Sequence, residues 1–371
     1  MKMLTLITLL LSAGAAFAEP TAIVGDWSDL NGLPSLRDIN GRIVPVSYYH
    51  ANVRPVSDFC TGFYFDYARI PAQYRNESYY RKCFRQMREY GCSTVTIYGW
   101  TGVADVSDLG LQLRLAKEEG LADHPVIILP CGSPADLWPK LKPLVPAGVQ
   151  IWGYGPDEPA ATEQAKEQVA QSAAEWHSIG IPVASAININ SARAIGDPLD
   201  VWIVNINDID ETARRPDHQL WAYTCDLRGT NRLGHRWLTG IYAYALHRRL
   251  GVSGLLLWAY LHDVNSSAAN PLMVSEHALC GEWGPIATAG MDGMRDGASD
   301  FAVLNELEAR GKGADARWLD DLVGKIPLQF WAGGKRPGED GDYWWNRPDT
   351  FTPPLDVETA MLEAAARLVR K

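Results

Sequence analysis

The sequence contains no C-x-x-C pair, and its 8 histidines and 6 cysteines are nowhere clustered at metal-ligand spacing. A zinc site is therefore not expected, and the sequence calls for no metal or other cofactor. No Gly-x-Gly-x-x-Gly turn follows an early strand and no Walker-type loop is present, so the signals for cradling a phosphate are missing. After the N-terminal segment there is no further run of roughly 18 apolar residues, and no membrane span is expected. Basic residues are few beside acidic ones, 34 Lys and Arg against 44 Asp and Glu, for a net charge of −10. That balance argues against nucleic acid or anionic lipid as the main partner and leaves neutral ligands such as glycans open. Internal repeats and low-complexity tracts are absent, and nothing points to an obligate protein partner.

What is present begins at the N-terminus. Lys2 supplies a basic end, residues 4–11 are almost unbroken apolar, and Ala16-Phe17-Ala18 fits a small-residue cleavage site. This is the pattern of a secretory signal over residues 1–18, which makes the product secreted or periplasmic. An even cysteine count in an exported chain permits disulfides among Cys60, Cys83, Cys92, Cys131, Cys225 and Cys280, with buried free thiols as the alternative. The chain is long enough to bury a large core without them.

Short β-like runs alternate with helical patterns. The runs at 61–67, 93–98, 125–130, 150–154, 181–187, 200–205, 219–223 and 254–260 predict eight strands. Between them Tyr80, Phe84 and Met87, then Leu109, Leu113 and Ala116, then Ala165, Val169, Ala173 and Trp176 recur at helical spacing. Trp237, Ile241, Tyr244 and Leu250 mark another helix face. The fold class expected is α/β, a (β/α)8 TIM-type barrel with a short N-terminal β or loop flank and a C-terminal helical extension. An open doubly wound sheet is the alternative. The domain reading is a signal over 1–18, a flank over 19–60, a catalytic barrel over 61–290, and C-terminal helices with a Trp/Pro-rich segment over 291–371. Trp344 and Trp345 fall in that last segment, either over the barrel mouth or against its outside.

Barrels of this kind carry their chemistry at the C-terminal ends of the strands. The fourth strand runs into Gly155-Pro156-Asp157-Glu158-Pro159, an aromatic strand delivering two adjacent acids. Asp157 and Glu158 are the candidate catalytic pair, with a helix cap as the plain alternative for Asp157. Aromatic and amide side chains at the other strand ends can stack on sugar rings and bond their hydroxyls. The candidate substrate-binding residues are Tyr98, Trp100, Tyr154, Asn188, Asn205, Trp221, Tyr223, Trp258 and Tyr260. The seventh strand ends in Tyr223-Thr224-Cys225-Asp226 without the Glu that many retaining barrel glycosidases place there. The adjacent acids suit instead a substrate-assisted division of labour, in which Glu158 protonates the leaving oxygen and Asp157 orients an acetamido group. A two-carboxylate glycosidase pairing Glu158 with Asp226, Asp208 or Asp263 stays open, as does a glycan-binding barrel without turnover.

The Asp157-Glu158-Pro159 block after an aromatic strand resembles the catalytic domain of glycoside hydrolase family 123 and related barrel proteins grouped as domain-of-unknown-function family 4091. Gly254 to Tyr260, and then Arg295-Asp296-Gly297 with Asp300, Val303 and Leu304, resemble that group's C-terminal signature. The Phe63-Tyr64 pair and the segment from Met87 to Gly91 fit as well. The resemblance spans roughly residues 60–310, and the large N-terminal β-sandwich of many such proteins is expected to be missing or reduced to the short flank. It implies exo-hydrolysis of β-linked N-acetylgalactosamine through the substrate's own acetamido group, with Asp157 orienting that group and Glu158 as acid/base. Arg295, Asp296 and Asp300 are read as structural charges of a helix.

Overall fold

The computed structural model describes residues 58–98, 105–129, 132–225, 227, 231–261, 278–281, 283–311, 313–330 and 351–369. The expected secretory signal, nearly all of the N-terminal flank, Trp100, Cys131, Asp226, Asp263, Trp344 and Trp345 lie outside the described residues. Eight parallel strands close into one barrel, each hydrogen-bonded to its sequence neighbours and the last to the first. They are β1 (Cys60–Phe65), β2 (Thr94–Ile97), β3 (Val126–Ile128), β4 (Ile151–Tyr154), β5 (Val183–Ile187), β6 (Val201–Asn205), β7 (Gln219–Thr224) and β8 (Gly254–Leu257).

Helices fill the connections, except that between β6 and β7, which holds only a short 3-10 turn (Glu211–Ala213). The helices are α1 (Glu77–Glu89), α2 (Val106–Glu118), α3 (Pro134–Leu141), α4 (Glu163–Ser178), α5 (Ile189–Ile195), α6 (Arg232–Trp237) and α7 (Ala243–Leu250), the last two joined by a π-turn over Leu238–Tyr242. The apolar faces legible in the sequence are the buried ones: Tyr80, Phe84 and Met87 on α1, and Val169, Ala173 and Trp176 on α4, are all 2 % exposed or less. An antiparallel hairpin, β9 (Ala278–Gly281) with β10 (Gly284–Ala287), follows the barrel and lies against α1, where Gln86 Nε2 donates to the Pro285 carbonyl at 3.1 Å. The C-terminal part adds α8 (Ala289–Arg310), α9 (Ala314–Gly324) and α10 (Val357–Val369). Among the described residues no helix is long and apolar enough to cross a membrane.

Strand side chains alternate between two cores. Val95, Ile97, Val183, Ile187, Leu255 and Leu257 face the helices, while Trp152, Tyr154, Ala184, Ala186, Ile203, Trp221, Tyr223 and Leu256 pack together inside the barrel. The interior is therefore a filled core whose upper layer can carry a site. Trp152 and Trp221 make the layer below, with ring centroids 5.1 Å apart. Room for Trp221 depends on Gly254 of β8, where an added Cβ would come within 2.4 Å of the indole.

The α8 helix is held to α6 by glycines and charges together. A Cβ at Gly297 would meet Thr239 Oγ1 at 2.2 Å, so the two backbones approach as only glycine allows. Arg236 on α6 forms a two-pronged ion pair with Asp300 on α8, at 2.7 and 3.2 Å, and reaches Glu358 on α10 at 2.8 Å. Asp296 takes Arg232 at 2.7 Å, and Arg295 pairs with Asp292 and lies over the Tyr90 ring. These charges thus serve helix packing, mostly between helices rather than along one. Cys60, Cys83 and Cys92 are buried free thiols, and burial pushes each thiol up, away from thiolate chemistry.

Candidate active site

Four inward phenols stand at the upper ends of the strands: Tyr64 on β1, Tyr98 just past β2, Tyr154 closing β4 and Tyr223 on β7. With Asp157, Glu158, Ala186, Cys225 and Trp258 they line a cavity of about 220 Å³. The rings brace one another edge to face, with Tyr98 at 5.5 Å from Tyr64, 5.7 Å from Tyr154 and 5.0 Å from Trp258. Such packing fixes each ring and leaves only its hydroxyl free to choose a partner.

The hydroxyls choose the two acids. Tyr98 donates to Asp157 Oδ2 at 3.0 Å and Tyr154 to Asp157 Oδ1 at 2.5 Å, so both oxygens of that carboxylate are held. Tyr223 donates to Glu158 Oε1. Tyr64 lies behind Tyr154, oxygen to oxygen at 3.4 Å. Burial is the main force raising all four phenols above their ordinary value. The next contribution at Tyr98 is the Asp157 charge, and at Tyr223 the Glu158 charge. They therefore stay protonated, and stay donors, over the whole range in which carboxylates titrate.

The helix-cap reading of Asp157 does not hold. The N-cap of α4 is Thr162, whose side chain accepts from Ala165 N–H, and Asp157 is spent on phenols. Backbone geometry then separates the two acids. Glu158 is the one non-glycine residue with positive φ among the described residues, at 45°, and its N–H is tied to the Ala186 carbonyl at 2.9 Å. A glutamate there costs about 1–2 kcal/mol against glycine. Glu158→Gly is accordingly expected to unfold at the same temperature as the parent or a few degrees higher, as read by calorimetry. A clearly lower transition would remove the case for strain.

The other strand-end candidates go elsewhere. Asn188 caps α5, accepting from Ser191 N–H at 2.9 Å, because its strand leads straight into that helix. Trp221 is 2 % exposed in the layer beneath the phenols and acts as barrel filler. Tyr260 lies past the end of β8, turned outward against Phe63 and Phe65, with its hydroxyl donating to Gln86 at 2.5 Å. Asn205 is buried behind Tyr223 and does not reach the cavity wall. Asp208, the one proposed partner acid within the described residues, does not line the cavity either. Tyr64, Ala186 and Cys225 were not among the expected site residues. For Tyr64 the inward period of β1 was the available signal. Among the described residues no cluster of acidic, His or Cys side chains could hold a metal ion.

No protein-family model matches the chain, and no curated protein matches it. Solved structures do. A family 123 glycoside hydrolase from Clostridium perfringens, described in connection with glycolipid glycan hydrolysis, is similar over 84 % of this chain and 68 % of its own, at 11 % identity and a TM-score of 0.51. A proposed α-L-fucosidase from Bacteroides thetaiotaomicron matches 57 % of this chain and 92 % of its own at 13 % identity and a TM-score of 0.39. An N-acetylneuraminate lyase from Mycoplasma synoviae matches 84 % and 97 % at 12 % identity and a TM-score of 0.39. At these identities the likeness is one of fold: the chain is a (β/α)8 barrel whose structural neighbours include a glycoside hydrolase.

Proposed function

We propose that the protein is a glycoside hydrolase acting on β-linked N-acetylhexosaminides, N-acetylgalactosaminides in particular, by substrate assistance. One observation carries the reading: adjacent acids face one aromatic cavity, and separate phenols hold them for different work. Asp157, gripped at both oxygens, is a fixed acceptor for an amide N–H. Glu158, bonded to a phenol at one oxygen, has the other available for a proton. In the first step Glu158 gives that proton to the glycosidic oxygen as the C1–O bond breaks. The acetamido carbonyl oxygen meanwhile bonds to C1, and Asp157 stabilises the positive charge growing on the amide. In the second step Glu158 takes a proton from water as that water attacks C1, which reopens the ring, restores the acid and retains the anomeric configuration.

Trp258 and the phenols supply the ring-stacking and hydroxyl-bonding surface a sugar needs. A covalent amine mechanism has no support, since no lysine lines the described cavity wall. The N-terminal segment adds that the glycan is met outside the cytoplasm.

The test offers chromogenic β-N-acetylgalactosaminide and β-N-acetylglucosaminide beside the matched sugars without the acetamido group. Cleavage confined to the acetamido sugars and blocked by a thiazoline analogue is the expected result. Equal cleavage of plain sugars sinks the assisted mechanism, and glycan binding without turnover makes the barrel a binding protein.

A further inference from the structure

Asn205 ends β6, and its Cα is the register partner of Tyr223 on β7, so two inward side chains stand side by side. It is 5 % exposed. Its Oδ1 accepts the backbone N–H of Asn207 at 3.0 Å. With the carbonyl end committed, the side-chain NH2 is what remains to hydrogen-bond the Tyr223 hydroxyl. A phenol has one proton. That proton goes to Glu158 Oε1, which leaves the phenol oxygen as an acceptor for the Asn205 NH2 beside it.

We infer that Asn205 is a positioning residue that fixes the direction of the Tyr223–Glu158 hydrogen bond, and with it the Glu158 oxygen that carries the acid proton. Oε1 receives a bond and is an acceptor, so the proton of the neutral acid sits on Oε2, the oxygen left for the substrate. The order is Asn207 N–H to Asn205, Asn205 to Tyr223, Tyr223 to Glu158. It starts from a backbone amide that cannot turn round, and each donated bond strengthens the next. The inference rests on the reading of Glu158 as proton donor. The other titratable groups on the described cavity wall are Asp157, the phenols of Tyr64, Tyr98 and Tyr154, and the Cys225 thiol, all unchanged in the variants below.

The test reverses the order. The carboxylate introduced by Asn205→Asp accepts from Tyr223, which turns the phenol and forces Glu158 to donate to it. The upper limb of the kcat/KM pH profile, and the midpoint of the Glu158 carboxyl 13C resonance (assigned by its loss in Glu158→Gln), are both expected to rise by about one pH unit. Asn205→Leu, which adds no charge, is expected to shift them the same way and less. In a Tyr223→Phe background Asn205→Asp is expected to leave the midpoint where that background puts it. A shift that survives Tyr223→Phe undiminished means the new charge acts through space, and the inference fails. No shift in the parent background overturns it equally. Absence of turnover on every acetamido sugar is a failure of the hydrolase reading alone, because the 13C titration still reports the relay.

Discussion

Glu158→Gln is expected to lower kcat on an unactivated N-acetylhexosaminide by about 10³-fold, within the range general acid–base groups contribute. Glutamine keeps the volume and the oxygen that accepts from Tyr223, so the cavity stays intact and KM should change little. What is lost is the proton for the departing oxygen. A dinitrophenyl leaving group needs no such proton, and with it the first step should recover most of its rate and show a burst before the slower hydrolytic step. Asp157→Asn is expected to behave differently. The acetamido group must attack whatever the leaving group, so its deficit should be of similar size on both substrates. The measurement is stopped-flow and steady-state kinetics on the two glycosides. If Glu158→Gln loses equally on both, Glu158 is not the acid.

The largest effect on stability is expected at the Arg236–Asp300 pair. Asp300 is fully buried and the Arg236 side chain is 9 % exposed, so removing the guanidinium strands a carboxylate in the core. Arg236→Met is expected to lower the unfolding free energy by about 3–5 kcal/mol, and Arg236→Met with Asp300→Leu to regain most of it. The loss should depend on pH. Burial pushes the Asp300 carboxyl up to about 7 against the pull of Arg236, above the roughly 3.9 of an unfolded Asp. Folding therefore takes up a proton in that interval. The stability assignable to this group is full below about pH 4 and is lost as pH rises through about 7. Without Arg236 the interval extends upward, so the variant's deficit should be smallest in acid and largest above neutrality. Urea unfolding at pH 5 and pH 8 reads this directly, and a deficit under about 1 kcal/mol at both would contradict it.

The barrel was legible because its strands are short β-branched and aromatic runs with turn residues at their ends. Residues 150–154 and 219–223 were read within one residue of the observed β4 and β7. The β9–β10 hairpin was not, since Ala278-Leu279-Cys280-Gly281 has neither alternation nor β-branching. Nor was α5, whose seven residues are too few to display a helical period. Collecting residues from strand ends brought Tyr98, Tyr154, Asp157, Glu158, Tyr223 and Trp258 to one cavity. The same rule passed over Tyr64. The first strand was extended to Tyr67, which made Tyr64 look mid-strand, whereas β1 stops at Phe65 and leaves Tyr64 near the rim. It over-reached at Trp221 because one inward period covers both floor and rim. It over-reached at Tyr260 because inward alternation ceases once β8 ends at Leu257.

The left-handed backbone at Glu158 has a consequence for descent. The side chain that would donate the proton occupies a place where glycine rests more easily, so one codon change can end turnover while leaving the barrel as firm as before or firmer. Asp157, the four phenols and Trp258 would remain to hold a sugar. A lineage released from the need to cut could thus become a sugar-holding protein in one step and meet no folding penalty on the way. The reverse journey runs uphill.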